Sequence, residues 1–292
     1  MKYTMTMAVL LLATIMTTSC KGGDTTKNAT DSCTAKEDSV IVEEAPKEVN
    51  IEERKISKTY YFIATQAEIP HYGDYTVTVN WPEKCEGFDL TKLQIALCGG
   101  DGDIEKKIKE DYTALFPTAL WKKVNKKPNI SDDENSEMME EPYEQPWAPN
   151  GGVQIERLKY DKNPDLAIYE MTGFHYMGCG MGGCALPFDT VVIFDVRADK
   201  VVHYDDLFVE KANDYIMKRL QKDHGDFEED ADEMWKVKRI SHNIVISEKT
   251  CSFIYDKYEI DCGAAGMVRL DIPLKDLLPY MTDYGKEVLR LQ

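Results

Sequence analysis

The sequence predicts an α+β fold, with a mainly antiparallel sheet packed against helices in two closely associated subdomains. Several runs are rich in β-branched and aromatic residues and are bounded by turn residues, which is typical of strands. Other runs place apolar residues at helical spacing behind an acidic capping residue. Strand runs and helix runs alternate without strict strand–helix–strand units, and this order favours α+β over a parallel α/β fold.

The first part of the predicted domain contains two strands followed by two helices. Residues 60–64 and 75–81 predict the strands, and the second run alternates between apolar and polar positions. Asp89 is a candidate cap for a helix over residues 90–97, and Asp103 caps a second helix that ends before Pro117.

The second part contains most of the remaining strands. Three strands are predicted at residues 153–158, 166–171 and 190–196, and the last shows little alternation, which indicates a central strand. A turn at Asp199 leads to a short strand at 201–204. Further along, the predicted helices cover 205–220, 227–237 and 274–281, and the predicted closing strands cover 244–246, 252–255 and 267–270.

The N-terminus resembles a lipoprotein export signal. Lys2 precedes an apolar run at residues 7–16 and small residues that end at Cys20. The apolar run is shorter than the ~20 residues that span a bilayer. We therefore expect cleavage of residues 1–19 and acylation of Cys20; the alternative is an ordinary cleaved signal. The predicted location is the cell envelope, with the outer membrane favoured because Lys21 follows the cysteine.

The remaining boundaries follow from composition. Residues 20–50 carry almost no apolar periodicity and predict a disordered tether. Residues 51–125 form the predicted N-terminal subdomain and 151–292 the C-terminal one. Between them, residues 126–150 predict a solvated acidic loop bracketed by prolines.

The formal net charge of -17 argues against a nucleic-acid partner, because such a partner requires clustered Lys and Arg to neutralise phosphates. A negative surface instead steers basic partners at modest salt. Solubility alone is the simpler explanation of the charge. The predicted partners are the membrane, through the acyl anchor, and a basic protein or cell-wall ligand.

The cysteines support export, because an even set in an exported protein predicts disulfides. Cys33 lies in the tether and is either free or paired between chains. The six others form three sequence-local pairs, and the favoured connectivity among fifteen joins each local pair: Cys85 with Cys98, Cys179 with Cys184, and Cys251 with Cys262.

No catalytic motif is recognisable, so we expect a protein that is not an enzyme and needs no cofactor or metal. The glycine-rich string at residues 178–184 lacks the lysine and the following helix of a phosphate-binding loop. A metal site here would use His175 with Cys179 and Cys184, but the sequence has no second Cys/His pair at the spacing of a zinc finger. A loop stapled by a disulfide fits the string better.

Two motifs in the C-terminal half resemble a known family. One is a strand, a turn, a strand and the sequence Asp205-Asp206-Leu207-Phe208, followed by a helix. The other contains Tyr258 and Glu259, then Gly266, then Pro273. Together they are similar to the RsiV-like extracytoplasmic domain-of-unknown-function family, which also occurs beside peptidoglycan deacetylase domains.

The resemblance implies a two-part α+β module that is not itself a catalyst and that, in one branch of the family, binds lysozyme. The leading hypothesis is therefore a lipid-anchored envelope module that binds a basic lysozyme-like protein or a cell-wall component. Two alternatives remain: a structural or assembly lipoprotein without a soluble ligand, and an envelope hydrolase.

Overall fold

The computed structural model describes residues 48–65, 71–130, 148–176, 185–228 and 232–291. Within these ranges the chain forms two sheets and several short helices. The strands are β1 (Ile51–Ala64), β2 (Tyr72–Cys85), β3 (Trp121–Val124), β4 (Asn150–Leu158), β5 (Leu166–Tyr176), β6 (Ala185–Asp195), β7 (Lys200–Val201), β8 (Ile244–Ile246), β9 (Thr250–Tyr255) and β10 (Val268–Pro273). The α+β prediction is confirmed.

The helices lie between and after these strands. They are α1 (Thr91–Cys98), α2 (Ile104–Leu115), α3 (Tyr204–Leu207), α4 (Ala212–His224), α5 (Leu274–Leu277) and α6 (Asp283–Val288), with a 3₁₀ turn at Leu278–Tyr280. None of the helices in the described ranges has both the length and the apolar character needed to cross a membrane.

The large sheet contains β1 to β7 in the order β3-β1-β2-β4-β5-β6-β7, and β8 to β10 form a separate sheet in the order β10-β9-β8. All pairs are antiparallel except β2 with β4. Because β2 and β4 belong to different predicted subdomains, one continuous sheet joins the two halves of the chain. The assignment of separate subdomains stays a prediction.

Two hydrophobic cores lie on opposite faces of the large sheet. The first core contains Val77, Ile155 and Tyr169 with α1 and α2. The second core contains Ile168 and Ile193 with α3 to α6 and the small sheet. Successive residues of a strand point to opposite faces. Residues 192–194 of β6 are buried and point alternately into the two cores, which explains the weak alternation of this segment. The strand lies between β5 and the two-residue β7, next to the edge of the sheet and not at the predicted centre.

The helix predictions needed two corrections. The segment predicted as one helix over 205–220 is divided into α3 and α4, because Phe208 leaves the helical conformation (φ −121°, ψ 141°) and forms a β-bridge with Met281. No helix occurs at the described residues of 227–237. There Gly225, at φ 89°, ends α4, and turns follow.

A candidate ligand groove on the open sheet face

The candidate site is a groove on the face of the large sheet opposite α1 and α2. Side chains and backbone of β2, β4, β5 and β6 line it and enclose about 690 Å³. We call it the open-face groove. It lies over the rows of residues that face each other across these strands, and its lining is Asp74, Thr76, Thr78, Asn150, Gly151, Gly152, Val153, Gln154, Thr172, Gly173, Phe174 and Pro187.

Strand register explains where the depression lies. Thr76 of β2 faces Gly152 of β4, and Gly152 faces Phe174 of β5. Phe174 in turn faces Pro187. Paired residues point to the same face of a sheet. The missing side chain at Gly152 therefore leaves a gap between a threonine hydroxyl and a phenyl ring.

The backbone at this point is close-packed in a way that requires glycine. A Cβ atom added to Gly152 would lie 2.5 Å from the Thr76 carbonyl oxygen, and one added to Gly173 would lie 2.3 Å from the Gly152 carbonyl oxygen. Neither glycine has a positive φ. The requirement is therefore for a close approach of neighbouring strands, one of the reasons for glycine inside a strand.

The row next to Gly152 carries neutral polar groups. Thr78 faces Gln154, and Gln154 faces Thr172. Thr76 and Gln154 are exposed. The Gln154 amide nitrogen donates to Glu156 Oε2 at 3.2 Å, and its amide oxygen remains a further acceptor. These groups can both donate and accept hydrogen bonds.

Asp74 is the only carboxylate among the described residues that line the groove. Its Oδ2 accepts a long hydrogen bond of 3.4 Å from Thr76 Oγ1, and Thr76 also exchanges a 3.1 Å hydrogen bond with Thr59. Partial burial raises the pKa of Asp74, and the Thr76 hydrogen bond and the charge of Lys127 oppose that rise.

A buried ion cluster closes one end of the open face. Arg269 of β10 donates to Glu170 Oε1 at 2.7 Å and also binds Asp189. Asp189 lies directly opposite Thr172 in the sheet. Burial raises the pKa of both carboxyl groups, and the charge of Arg269 opposes this rise without cancelling it. The cluster connects the small sheet to the edge of the groove.

The predicted motif at Asp205-Asp206-Leu207-Phe208 has a structural role. Asp206 accepts a hydrogen bond from the His203 N–H at 2.9 Å and pairs with Lys200 at 2.6 Å. Leu207 and Phe208 are buried in the second core, whereas Asp205 is exposed. None of these four residues lines the open-face groove.

The second motif is also distributed over turns. Tyr258 and Gly266 have positive φ angles of 70° and 73°, and Glu259 accepts from the Asp256 N–H at 3.0 Å and pairs with Arg239 at 2.7 Å. Pro273 lies at the junction of β10 and α5. The structure therefore does not bring the motif residues together into one site.

The predicted disulfides are not formed among the described cysteines. Cys85, Cys98, Cys251 and Cys262 are all free thiols. Cys251 points into the second core from β9, whereas Cys262 is exposed on a turn, so this pairing is wrong. Cys85 and Cys98 share the first core without a bond. Cys20, Cys179 and Cys184 lie outside the described residues.

His175, which a metal site would use, packs between aromatic rings. Its ring centroid lies 6.0 Å from that of Tyr75 and 5.6 Å from that of Phe188. Burial lowers its pKa. The described part of the chain contains no group of three His, Cys, Asp or Glu side chains placed to hold a metal.

Sequence reasoning missed the open-face groove. The signals present were the alternation that places Thr76 and Thr78 on one face and the Gly151-Gly152 pair directly before the strand predicted at 153–158, a pair that β4 includes. A glycine within a strand indicates a bulge or a close approach. Without the pairing of β2 with β4, these signals could not be connected.

Residues 198–275 match the family model DUF3298, described as a protein of unknown function. A crystal structure of a DUF3298 family member from Bacteroides fragilis has a TM-score of 0.58 and 13% identity, covering 83% of this chain and 98% of that one. A DUF3298 protein from Pseudomonas aeruginosa has a TM-score of 0.48 and 14% identity, with coverages of 80% and 96%. None of the curated proteins matches.

These comparisons confirm the predicted likeness to a family of unknown function. The matched segment contains the eight named residues of the two predicted motifs, Asp205, Asp206, Leu207, Phe208, Tyr258, Glu259, Gly266 and Pro273, whereas the strand that begins the first motif lies before it. At 13% identity, the Bacteroides fragilis structure supports the fold alone. The RsiV-like assignment stays a prediction.

Proposed function

We propose that this protein is a lipid-anchored envelope binding module that holds a cell-wall saccharide in the open-face groove. One observation carries the proposal: the gap at the half-buried Gly152 lies between the Thr76 hydroxyl and the Phe174 ring. The gap gives a ligand access to a flat floor, a polar side and an apolar side.

The chemistry of the lining favours a saccharide over a charged ligand. Sugar hydroxyls donate and accept hydrogen bonds, as do Thr76, Thr78 and Gln154. The apolar side is formed by Phe174, which is 43% exposed, and by Pro187 opposite it. An aromatic ring offers a sugar an apolar surface, and a few placed polar groups fix orientation.

The envelope location rests on the N-terminal signal. Cys20 follows a short apolar run and small residues, and the proposed tether separates it from the first described residues. In the producing cell, a Cys20→Ala variant is expected to lose metabolic labelling by palmitate and to leave the membrane fraction. Retention of the label would contradict the anchor at this residue.

The saccharide proposal is tested by titrating the untethered domain, residues 48–292, with soluble peptidoglycan fragments in a calorimeter. Phe174→Ala is expected to weaken binding about tenfold, since aromatic contacts contribute ~0.5–1.5 kcal/mol beyond area burial. Phe227→Ala is the matched control, because Phe227 is 70% exposed and lies outside the groove. Equal losses in the two variants would overturn the proposal.

The same titration separates the alternatives. Binding without release of new reducing ends supports a binding module. Release of reducing ends that depends on a carboxylate, tested with Asp74→Asn, would support the hydrolase instead. Absence of heat with every fragment would favour a structural lipoprotein and would remove the proposed site.

A basic lysozyme-like protein is the second proposed partner, and the net charge of -17 is what favours it. Binding to an immobilised basic lysozyme should be compared at low and at near-physiological salt. Micromolar binding that survives salt would support shaped recognition. Binding lost with salt would reflect charge alone, because exposed charges more than ~10 Å apart are screened at about 0.1 M.

A further inference from the structure

A second groove, far from the first in sequence and different in chemistry, lies where three elements of the second half of the chain meet. The elements are the turn before β5, the β8–β9 turn and the start of α5, together with the last described residue. The groove encloses about 540 Å³, and its lining is Lys162, Glu248, Lys249, Thr250, Pro273, Leu274, Lys275, Leu278 and Leu291. We call it the lysine-rimmed groove.

The floor of this groove is apolar. Leu274 is buried, and Leu278 and Leu291 are partly buried against the second core. These leucines are recessed and none of them is among the strongly exposed large apolar residues of the chain. A recessed apolar floor favours an aliphatic chain that enters the groove over a surface that inserts into a bilayer.

The rim carries a local positive charge in an otherwise acidic protein. Three lysines and one glutamate line the groove, against a net charge of -17 for the whole chain. The ammonium of Lys162 donates to the Glu248 carbonyl at 3.0 Å. Those of Lys249 and Lys275 have no hydrogen-bond or ion-pair partner within the described residues.

Glu248, the single acidic residue of the rim, also interacts with groups outside the rim. The charge of Glu248 acts on Lys159 and on Tyr160, which belong to the neighbouring loop. Two unpaired ammonium groups therefore remain at the mouth of an apolar cavity. Charge complementarity favours an anion there, and the leucine floor favours a hydrocarbon chain.

The groove is held in shape by backbone and hydroxyl hydrogen bonds. The Leu274 N–H donates to the Lys249 carbonyl at 2.8 Å, which connects α5 to the β8–β9 turn. Within that turn the Thr250 N–H donates to Ser247 Oγ at 2.9 Å. The lysine backbone positions are therefore fixed before a ligand arrives, which lowers the entropic cost of binding.

We propose that the lysine-rimmed groove binds a free single-chain anionic amphiphile, with its carboxylate or similar head between Lys249 and Lys275 and its chain on Leu274, Leu278 and Leu291. This site is independent of the saccharide proposal, because the two grooves share no residue.

The test is calorimetric titration of the untethered domain, residues 48–292, with laurate below its micelle concentration. We expect binding of one laurate, and about tenfold weaker binding by Lys249→Glu/Lys275→Glu. The matched control is Lys55→Glu/Lys218→Glu, which makes the same change of charge at exposed positions outside the groove. The control is expected to bind as the parent does.

Two comparison ligands and one vesicle arm complete the test. Acetate, which lacks the chain, and dodecyltrimethylammonium, which reverses the head charge, are expected to give no binding. Leu291→Glu, at the end of the described chain, is expected to abolish laurate binding while the domain remains folded by circular dichroism. No laurate binding, or equal binding of the cationic amphiphile, would overturn the proposal. If the domain bound no laurate but sedimented with phosphatidylglycerol vesicles, the proposal would be overturned in favour of a membrane contact.

Discussion

Gly152 has the largest local effect on the proposed saccharide site. Its neighbours in the cross-strand row, Thr76 and Phe174, have side chains on the open face, and a Cβ at Gly152 would press on the Thr76 carbonyl. A substitution here would therefore change both the fit of the strands and the shape of the groove. For this reason Phe174 is the better position for measuring ligand contact separately from stability.

Arg269 is expected to be the most sensitive charged residue for stability. Removing it in Arg269→Met leaves Glu170 and Asp189 buried without their cation, and buried pairs broken in this way typically lose ~3–5 kcal/mol. Since the Arg269 side chain is 43% exposed, we expect roughly 2–3 kcal/mol at neutral pH. Urea unfolding measures the change.

The same variant should show a defined pH dependence. Burial raises the folded-state pKa of Glu170 and Asp189, so their contribution favours folding at low pH and is lost as pH rises through the folded pKa values. Without Arg269 both pKa values rise further. The loss should be smaller at about pH 4.5 than at about pH 7.5. Adding Glu170→Gln and Asp189→Asn should remove this pH dependence; an equal loss at both pH values would contradict the account.

The described cysteines should differ sharply in reactivity. Cys262 is exposed, whereas burial raises the pKa of Cys98 to about 11 and raises that of Cys251 as well. The thiolate is the reactive form. Brief alkylation of the folded protein, read by peptide mass spectrometry, is expected to modify Cys262 and to spare Cys85, Cys98 and Cys251. Recovery of a Cys85–Cys98 disulfide peptide would contradict the structure.

At the scale of elements, strong local patterns were predicted well. The alternation of residues 75–81, the Asp103 cap and the closing strands all correspond to observed elements. Two elements with weak patterns were not predicted. They are β3, which has four residues, and α6, which lies beyond the predicted end of the last helix. The acidic run after Gly225 has helix-forming residues, but its Phe227 and Met234 are 70% and 64% exposed, and Val237 is the one buried residue among those described in 227–237. One buried residue gives little tertiary packing to stabilise a helix.

Helix α2 depends on its predicted cap. The Asp103 carboxylate accepts hydrogen bonds from the N–H groups of Glu105 and Lys106 at 2.9 and 3.2 Å. Asp103→Ala is expected to cost about 1 kcal/mol of unfolding free energy, measured in urea. Asp101→Ala, which removes an exposed ion pair with Lys106 but not the cap, is the control and should change stability less. A larger effect at Asp101 would contradict the assigned cap.

At the scale of the whole molecule, the two faces of the large sheet are covered differently. Helices α1 and α2 pack on one face, whereas the small sheet and the C-terminal helices cover the β5–β7 part of the other face. The open-face groove lies on the part of this second face that they leave uncovered. Local patterns can indicate the strands, but they do not specify which strands pair. The parallel β2–β4 pair, which joins residues about 75 positions apart, was therefore not foreseen, and neither was the site.

Charge distribution also becomes meaningful only in the folded molecule. The sequence shows a strongly acidic chain, yet folding gathers Lys162, Lys249 and Lys275 around one apolar floor. Such a local reversal of sign cannot be read from net charge. It arises because the β8–β9 turn and α5, distant in sequence from Lys162, meet at one place.

The measurement that tests the central claim most directly is titration of the untethered domain with soluble peptidoglycan fragments, comparing the parent with Phe174→Ala and Phe227→Ala. The account predicts saturable binding that falls about tenfold in Phe174→Ala and is unchanged in Phe227→Ala. Binding that is unaffected by Phe174→Ala, or no binding by the parent, would contradict the assignment of the open-face groove as the ligand site.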